Sequence, residues 1–315
     1  MEAVSQLLDH LRQEMAKVIV GQEEFRDQCL IALLCRGHAL LEGVPGVAKT
    51  LVVKTLSRLL RLQFQRVQCT SDLMPADIIG TNILNMASGA FSLHRGPVFS
   101  DLLLVDEVNR MPPRTQAGLL ECMEEYQVTI DGVRHSLSPS FTVFATQNPV
   151  EFEGTYPLPE AQLDRFLLKA RVGYPEEDSE VRLLSNVQNG FNARDLDSME
   201  LSPAAPETLA RAQNEVKAVK VEPALFAYMV QIVRRTREWP ALSLGASPRA
   251  AVNLMTAAKA IAALDGRDYL IPDDVKAAGL PVLRHRLVLK PEADLEGITS
   301  DQVVRDILGA IEVPK

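Results

Sequence analysis

Two hydrophobic rhythms divide the chain. Up to about residue 172, short apolar runs at residues 38–41, 65–69, 102–106, 141–146 and 167–171 read as strands, with helically spaced stretches between them. That alternation predicts an α/β fold: a five-stranded, mostly parallel sheet with helices on both faces. Leu102, Leu103, Leu104 and Val105 are consecutive large apolar residues, a pattern suited to a strand buried on both faces. After Gly173-Tyr174-Pro175 the strand-like runs stop and helical periodicity dominates. Pro223 opens a helix that runs to Trp239, Ser247-Pro248 opens another that runs to Leu264, and Pro272-Asp273-Asp274 opens a third. Glu176-Glu177-Asp178 reads as a further helix start, where carboxylates face the positive end of the macrodipole. The expectation is a sheet unit at 1–173 followed by a smaller all-α unit at 174–315. Two hairpins interrupt the first unit. One spans residues 83–93 and turns near Ser88-Gly89; the other pairs 128–130 with 133–135 around Asp131-Gly132, a type I′ turn signal. Each projects either as an ordinary surface insertion or as a contact for a substrate or an adjacent subunit.

Candidate chemistry sits where strands end. Gly43-Val44-Pro45-Gly46-Val47-Ala48-Lys49-Thr50 joins the first strand to a helix whose apolar positions are Leu51, Val52, Thr55, Leu56, Leu59 and Leu60. A phosphate-binding loop needs that context: backbone N–H groups curl round the anion, the helix N-terminus adds partial positive charge, and Lys49 neutralises β/γ oxygens. Thr50 would then ligate Mg²⁺ through its hydroxyl. Ala48 stands where a glycine normally precedes the lysine, and because a methyl group disfavours positive φ, the loop is expected to run at negative φ there. Further along, the apolar strand ending at Val105 delivers Asp106 and Glu107 at the edge where α/β sheets bind ligands. Asp106 can hold Mg²⁺ through water, and Glu107 can orient and deprotonate a water attacking a γ-phosphate. A strand–helix turn that binds nothing, and a strand that merely ends in acids, are the alternatives.

Composition narrows the partners. A chain of 315 residues, 47% hydrophobic and 23% charged, is long enough for two domains. A formal charge of −8 supplies no general electrostatic drive toward nucleic acid. Met1 to Lys17 carries Glu2, Asp9, Arg12 and Glu14 among its apolar residues, which is not a signal-peptide pattern, and no uninterrupted apolar stretch is long enough to span a bilayer. A cytoplasmic location is the expectation. Cys29, Cys35, Cys69 and Cys122 form no CxxC pair and read as buried free thiols. His10, His94, His135 and His285 lack companions at ligand spacing, His38 begins the first strand, and Trp239 reads as packing between helices.

The motifs taken in order resemble a known family. IVGQ at 19–22, EGVPGVAKT at 42–50, SDLMPADIIGT at 71–81, LLVDEVNRMPPRTQAGLLECMEE at 103–125, ATQNPVE at 145–151, LPEAQLDRFLL at 158–168 and GASPRA at 245–250 are similar to a MoxR-type AAA+ ATPase over nearly the whole chain. The resemblance implies a P-loop AAA+ αβα sandwich followed by a helical lid, with the two hairpins as the family's insertions in helix 2 and before the sensor 1 strand. It implies an ATPase with ATP and Mg²⁺, assembled into a ring, most often a hexamer. Such a ring would act as a chaperone-like remodelling or maturation motor on a protein substrate, with a von Willebrand factor A-domain partner.

The same resemblance assigns residues. Glu107, Asn148 as sensor 1, Arg165 as the arginine finger and Arg249 as sensor 2 form the catalytic set. Arg165 would reach the ATP of a neighbouring subunit, and Arg249 would bring the helical unit onto the bound nucleotide. The nucleotide-contacting set is Val20, Gly21, Gly43, Val44, Pro45, Gly46, Val47, Ala48, Lys49, Thr50, Leu51 and Asp106, with Thr50 and Asp106 holding the metal. Either arginine could instead be a surface ion-pair partner. A nucleotide-controlled switch with little turnover and the motor subunit of a magnesium-chelatase-like complex are the competing readings. The absence of NKxD and GAFTGA motifs disfavours a small GTPase and a transcriptional activator.

Overall fold

A computed structural model of the chain describes residues 1–86, 89–149, 154–193 and 195–314. The first unit holds α1 (Glu2–Ala16), α2 (Glu23–Leu34), β1 (Ala39–Gly43), α3 (Lys49–Leu59), β2 (Phe64–Gln68), α4 (Pro75–Ile79), β3 (Gly80–Asn85) and β4 (Ala90–Arg95). It continues through β5 (Leu102–Asp106), α5 (Pro113–Glu125), β6 (Gln127–Ile130), β7 (Val133–Ser136), β8 (Thr142–Gln147), α6 (Glu160–Leu163) and β9 (Leu168–Val172). The helical region comprises α7 (Glu177–Gln188), α8 (Thr208–Ala218), α9 (Pro223–Arg237), α10 (Pro248–Leu264), α11 (Pro272–Leu283), α12 (Pro291–Leu295) and α13 (Ser300–Ala310), with a short ribbon of β10 (Leu242–Leu244) and β11 (Val288–Leu289).

β2-β5-β8-β1-β9 form one five-stranded sheet in which every neighbouring pair is parallel. β5 coincides with the predicted strand. The other four are displaced by one or two residues at an end, because register follows the neighbour: β1 continues through Glu42 and Gly43 to meet Arg171 and Val172 of β9. A side chain on Gly43 would collide with the Val172 carbonyl, so close strand approach requires glycine there.

Burial on both faces of β5 is visible in its alternation. Leu102 and Leu104 pack into one apolar cluster with α1, α2, α3 and the helical region, while Leu103 and Val105 pack into the other with α5 and the second hairpin. A parallel sheet is stable only with both faces covered in this way. The hairpins are β3–β4 and β6–β7. In the second, Asp131 and Gly132 both have positive φ, as the predicted type I′ turn requires; in the first, Gly89 has positive φ and Ser88 lies outside the described residues.

The helices opened by Pro223, Pro248 and Pro272 form as predicted, the first ending at Arg237 before Trp239. Trp239 packs partly buried beneath the Arg235 guanidinium. The β10–β11 ribbon corrects the expectation of an all-α second unit. Its three- and two-residue strands are too short to leave a period-2 signal. Of the cysteines, Cys29, Cys69 and Cys122 are buried and Cys35 is half-buried; desolvation pushes the thiols of Cys35, Cys69 and Cys122 up to about 12.

His38 is a core residue in its own right. Its Nε2 donates to the Met123 carbonyl at 3.0 Å, and Nδ1 accepts the Val143 N–H at 2.9 Å, which fixes a neutral tautomer between α5 and β8. Burial lowers its pKa from 6.5 to about 4, and His285 is displaced in the same direction, chiefly by burial. The folded state therefore binds fewer protons than the unfolded chain once the pH drops below about 6.5. Stability should be flat above about pH 7 and fall as the pH goes from about 6.5 toward 4. Urea unfolding midpoints measured between about pH 7.5 and pH 5 should decline across that window; an unchanged midpoint would contradict the buried neutral assignment.

Candidate functional site

The parallel sheet brings the C-terminal ends of β1, β5 and β8 side by side, and the loop 44–48, Asp106-Glu107 and Asn148 leave from those ends. Together they line a cleft of about 490 Å³ that includes Pro45, Gly46, Ala48, Lys49, Thr50 and Leu51. Leu183, Phe191 and Ala193, from α7 and the segment after it, border the same cleft.

Ala48 corrects the expectation about its backbone: it sits at φ +64°, left-handed, immediately before the first residue of α3. Gly46 is also at positive φ. Such a turn points successive N–H groups to one side, forming a concave anion nest at the positive end of the helix. Alanine adopts this conformation at a cost of about 1 kcal/mol, which the surrounding loop and helix must sustain. Lys49 Nζ donates to the carbonyls of Gly43 and Val44. Burial lowers the Lys49 pKa, while Asp106, Glu107 and Glu42 oppose that shift and favour the charged ammonium.

The carboxylates are held by groups the sequence did not single out. Asp106 is buried and accepts from Arg66 Nε at 2.6 Å and from Thr146 Oγ1 at 3.2 Å. Glu107 is left-handed at φ +58°; its N–H donates to Thr146 Oγ1 at 3.0 Å. Its Oε2 accepts from Gln68 Nε2 at 3.0 Å and pairs with Arg110 at 3.2 Å. Arg66 and Gln68 alternate with buried Val67 on the edge strand β2, so from sequence they read as solvent-facing polar positions. Asn148 is buried and lines the cleft just beyond β8. Thr50 and Asp106 supply oxygen donors, and among the described residues no group of three or more His, Cys, Asp or Glu side chains gathers to hold a metal. This sparse oxygen set suits Mg²⁺, which takes one or two protein ligands and completes its shell with phosphate oxygens and water.

Other predicted site residues lie elsewhere. Val47 is buried beneath the loop, and Gly43 and Val44 contribute carbonyls to Lys49 without lining the cleft. Gly21 borders a separate recess of about 270 Å³ with Arg171, Tyr174 and Ser179, and half-buried Val20 precedes it. Arg165 and Arg249 converge on one carboxylate away from the cleft: Arg165 Nη2 is 2.7 Å from Glu124 Oε2, and Arg249 Nη2 is 2.7 Å from Glu124 Oε1. Arg249 and then Arg165 hold the Glu124 carboxyl below the usual carboxylate range. Neither arginine lines the cleft. The physical reason is Asp164, which accepts from Ser247 Oγ at 2.9 Å and from Arg286 Nε at 2.8 Å and so docks the start of α10 beside Arg165.

Known proteins resemble this chain over nearly its whole length. Residues 38–168 match the model of the ATPase family associated with various cellular activities (AAA), and residues 234–307 match the AAA lid domain. The chain is 42% identical to Chaperone MoxR1 of Mycobacterium tuberculosis over 96% of its own length and 81% of that protein. It is 44% identical to the uncharacterized protein YeaC of Bacillus subtilis over 99% of its length and 97% of the relative. A crystal structure of a Cytophaga hutchinsonii protein, 41% identical, superposes with a TM-score of 0.90, covering 99% of this chain and 96% of that one.

The cleft generates a divided expectation for two charges. Lys49→Ala should lose most affinity for a fluorescent ATP analogue, because a phosphate charge goes unmatched. Glu107→Gln should retain binding yet turn ATP over at least ~10²-fold more slowly, as loss of a general base requires. Equal loss of binding in both variants would refute the division.

Proposed function

The chain belongs to the MoxR group of AAA ATPases, and from that premise we propose that it hydrolyses ATP as a ring of identical subunits, a hexamer, whose sites are completed between neighbours. The observation that carries this reading is the separation of charges: Lys49, Thr50, Asp106, Glu107 and Asn148 share one cleft, whereas Arg165 and Arg249 share Glu124 in a different recess. Two guanidiniums gathered at a recess outside their own cleft are suited to the cleft of another copy.

Within one cleft, the N–H groups of residues 46–50 and the Lys49 ammonium bind the phosphates. Thr50 and Asp106 hold Mg²⁺, which supplies positive charge to the β- and γ-oxygens when bound. Glu107 accepts the proton of the attacking water through its carboxylate. Asn148 donates or accepts at that water, since an amide can do both. Arg66 must release Asp106 for the carboxylate to face a metal, and Gln68 and Arg110 restrain Glu107 in the same way. Val20 and Gly21, beside the separate recess that also holds Ser179, are assigned to the adenine, and the neighbour's Arg165 and Arg249 meet the charge that builds on the γ-phosphoryl oxygens.

The work done with this cycle is remodelling or maturation of a protein substrate in the cytoplasm, together with a von Willebrand factor A-domain partner. No helix among the described residues is long and apolar enough to cross a membrane. The β3–β4 hairpin exposes Ile83, Leu84 and Phe91, and Met86 beyond it, an apolar tip suited to gripping a polypeptide. The boundary we propose between the nucleotide-binding unit and the lid is between residues 173 and 174, a choice supported by the end of β9 at Val172 and the start of α7 at Glu177.

Mixing two inactive variants tests the shared site. Arg165→Ala and Lys49→Ala should each retain little ATPase activity, since an arginine finger contributes ~10³–10⁵ in rate. Mixed, they can pair an intact cleft with an intact finger, so activity should partly return in oligomers verified by size. Full activity in isolated Arg165→Ala protein would show that the finger assignment is wrong.

A further inference from the structure

Helix α7 carries an apolar stripe that faces solvent. Val181 is 60% exposed, Leu184 72% and Val187 55%. Glu177, Glu180, Leu184 and Val187 follow one another at three-, four- and three-residue steps, so acid and apolar groups share one line along the helix. The same helix borders the nucleotide cleft through Leu183.

A groove of complementary character lies between α2, α8 and α10. It encloses about 380 Å³, floored by Leu34, Val216 and Met255 and rimmed by Arg36, Lys217 and Lys259, with no carboxylate among its lining residues. Arg36 is left-handed at φ +51° and is braced by its Nε, which donates to Gln213 Oε1 at 2.9 Å. Burial lowers the pKa of Lys259, a penalty that an incoming carboxylate would relieve. The groove is continuous with the arginine face, because Arg36, Cys35 and Thr256 also line the recess that contains Glu124, Arg165 and Arg249.

We propose that α7 of one copy docks in the α2–α8–α10 groove of the next, with Leu184 and Val187 on the apolar floor and Glu177 and Glu180 against the cationic rim. The two surfaces differ, so the contact is head-to-tail and repeats round a ring. α7 borders its own cleft and the groove borders the two arginines, so this docking carries the neighbour's Arg165 and Arg249 toward the cleft. It rests on the reading that those arginines act between copies, and it identifies the surfaces that bring them there.

A charge exchange tests the docking on exposed residues outside the catalytic set. Glu180→Lys and Lys217→Glu should each raise the protein concentration at half-assembly at least ~10-fold, measured by sedimentation with a slowly hydrolysed ATP analogue, because like charges at a contact cost several kcal/mol and each 1.4 kcal/mol is tenfold. Both changes in one chain restore opposite charges and should return assembly to within about threefold of wild type. Leu184→Asp should weaken assembly without lowering the thermal midpoint of the isolated subunit. Unaltered assembly in all three single variants, or no recovery in the double variant, would overturn the docking while leaving shared arginine sites intact. A wild-type protein that stays monomeric at full activity would instead overturn the ring reading itself.

Discussion

A buried guanidinium with five hydrogen bonds ties the helical region to the segment that leads into β9. Arg286, 1% exposed at its side chain, donates to the Asp164 carboxylate and also to the carbonyls of Asp164, Phe166, Leu167 and Val282. Five planar donors matched to a turn of carbonyls and one carboxylate is a geometry that arginine alone can fill. Ser247 adds a second bond to Asp164 from the start of α10. Removing one partner of such a buried pair typically costs 3–5 kcal/mol, roughly, because the other charge is left unpaired. The positions of Arg165 and Arg249 follow directly. One is the next residue after Asp164, the other lies two residues after Ser247, and both end on Glu124.

Two of the left-handed non-glycine residues lie where the chemistry is expected. Ala48 and Glu107 are both left-handed without being glycine, one at the entry to α3 and the other just beyond β5. Conformations of this kind persist only where the surroundings fix them. For Glu107 the fixing group is Thr146, whose hydroxyl accepts the Glu107 N–H and donates to Asp106. Thr146 thus holds the Asp106 carboxylate and the Glu107 backbone from the neighbouring strand, while Arg66 holds the other Asp106 oxygen and Gln68 and Arg110 hold the Glu107 carboxylate.

Much of this arrangement was legible in the amino-acid order. The unbroken apolar run of β5 marked a doubly covered strand and placed Asp106 and Glu107 at its end, and the Asp131-Gly132 turn marked the second hairpin. Other features were hidden for identifiable reasons. The methyl group of Ala48 argues for negative φ, whereas the nest demands a left-handed residue there, and that demand is set by the folded loop. Arg66 and Gln68 looked like an ordinary polar edge, since their partners are distant in sequence. Arg249 could be identified as a candidate from its motif, but its distance from its own cleft depends on Asp164, Ser247 and Arg286, three residues separated along the chain. The β10–β11 ribbon has strands too short to repeat a readable alternation.

The central claim is that catalysis belongs to a pair of copies and not to one chain. ATP turnover per subunit, followed across protein concentration with oligomer size recorded on the same samples, tests it most directly. The account predicts turnover that is low in dilute monomer and rises in step with assembly. Constant turnover per subunit, maintained in samples shown to be monomeric, would contradict it.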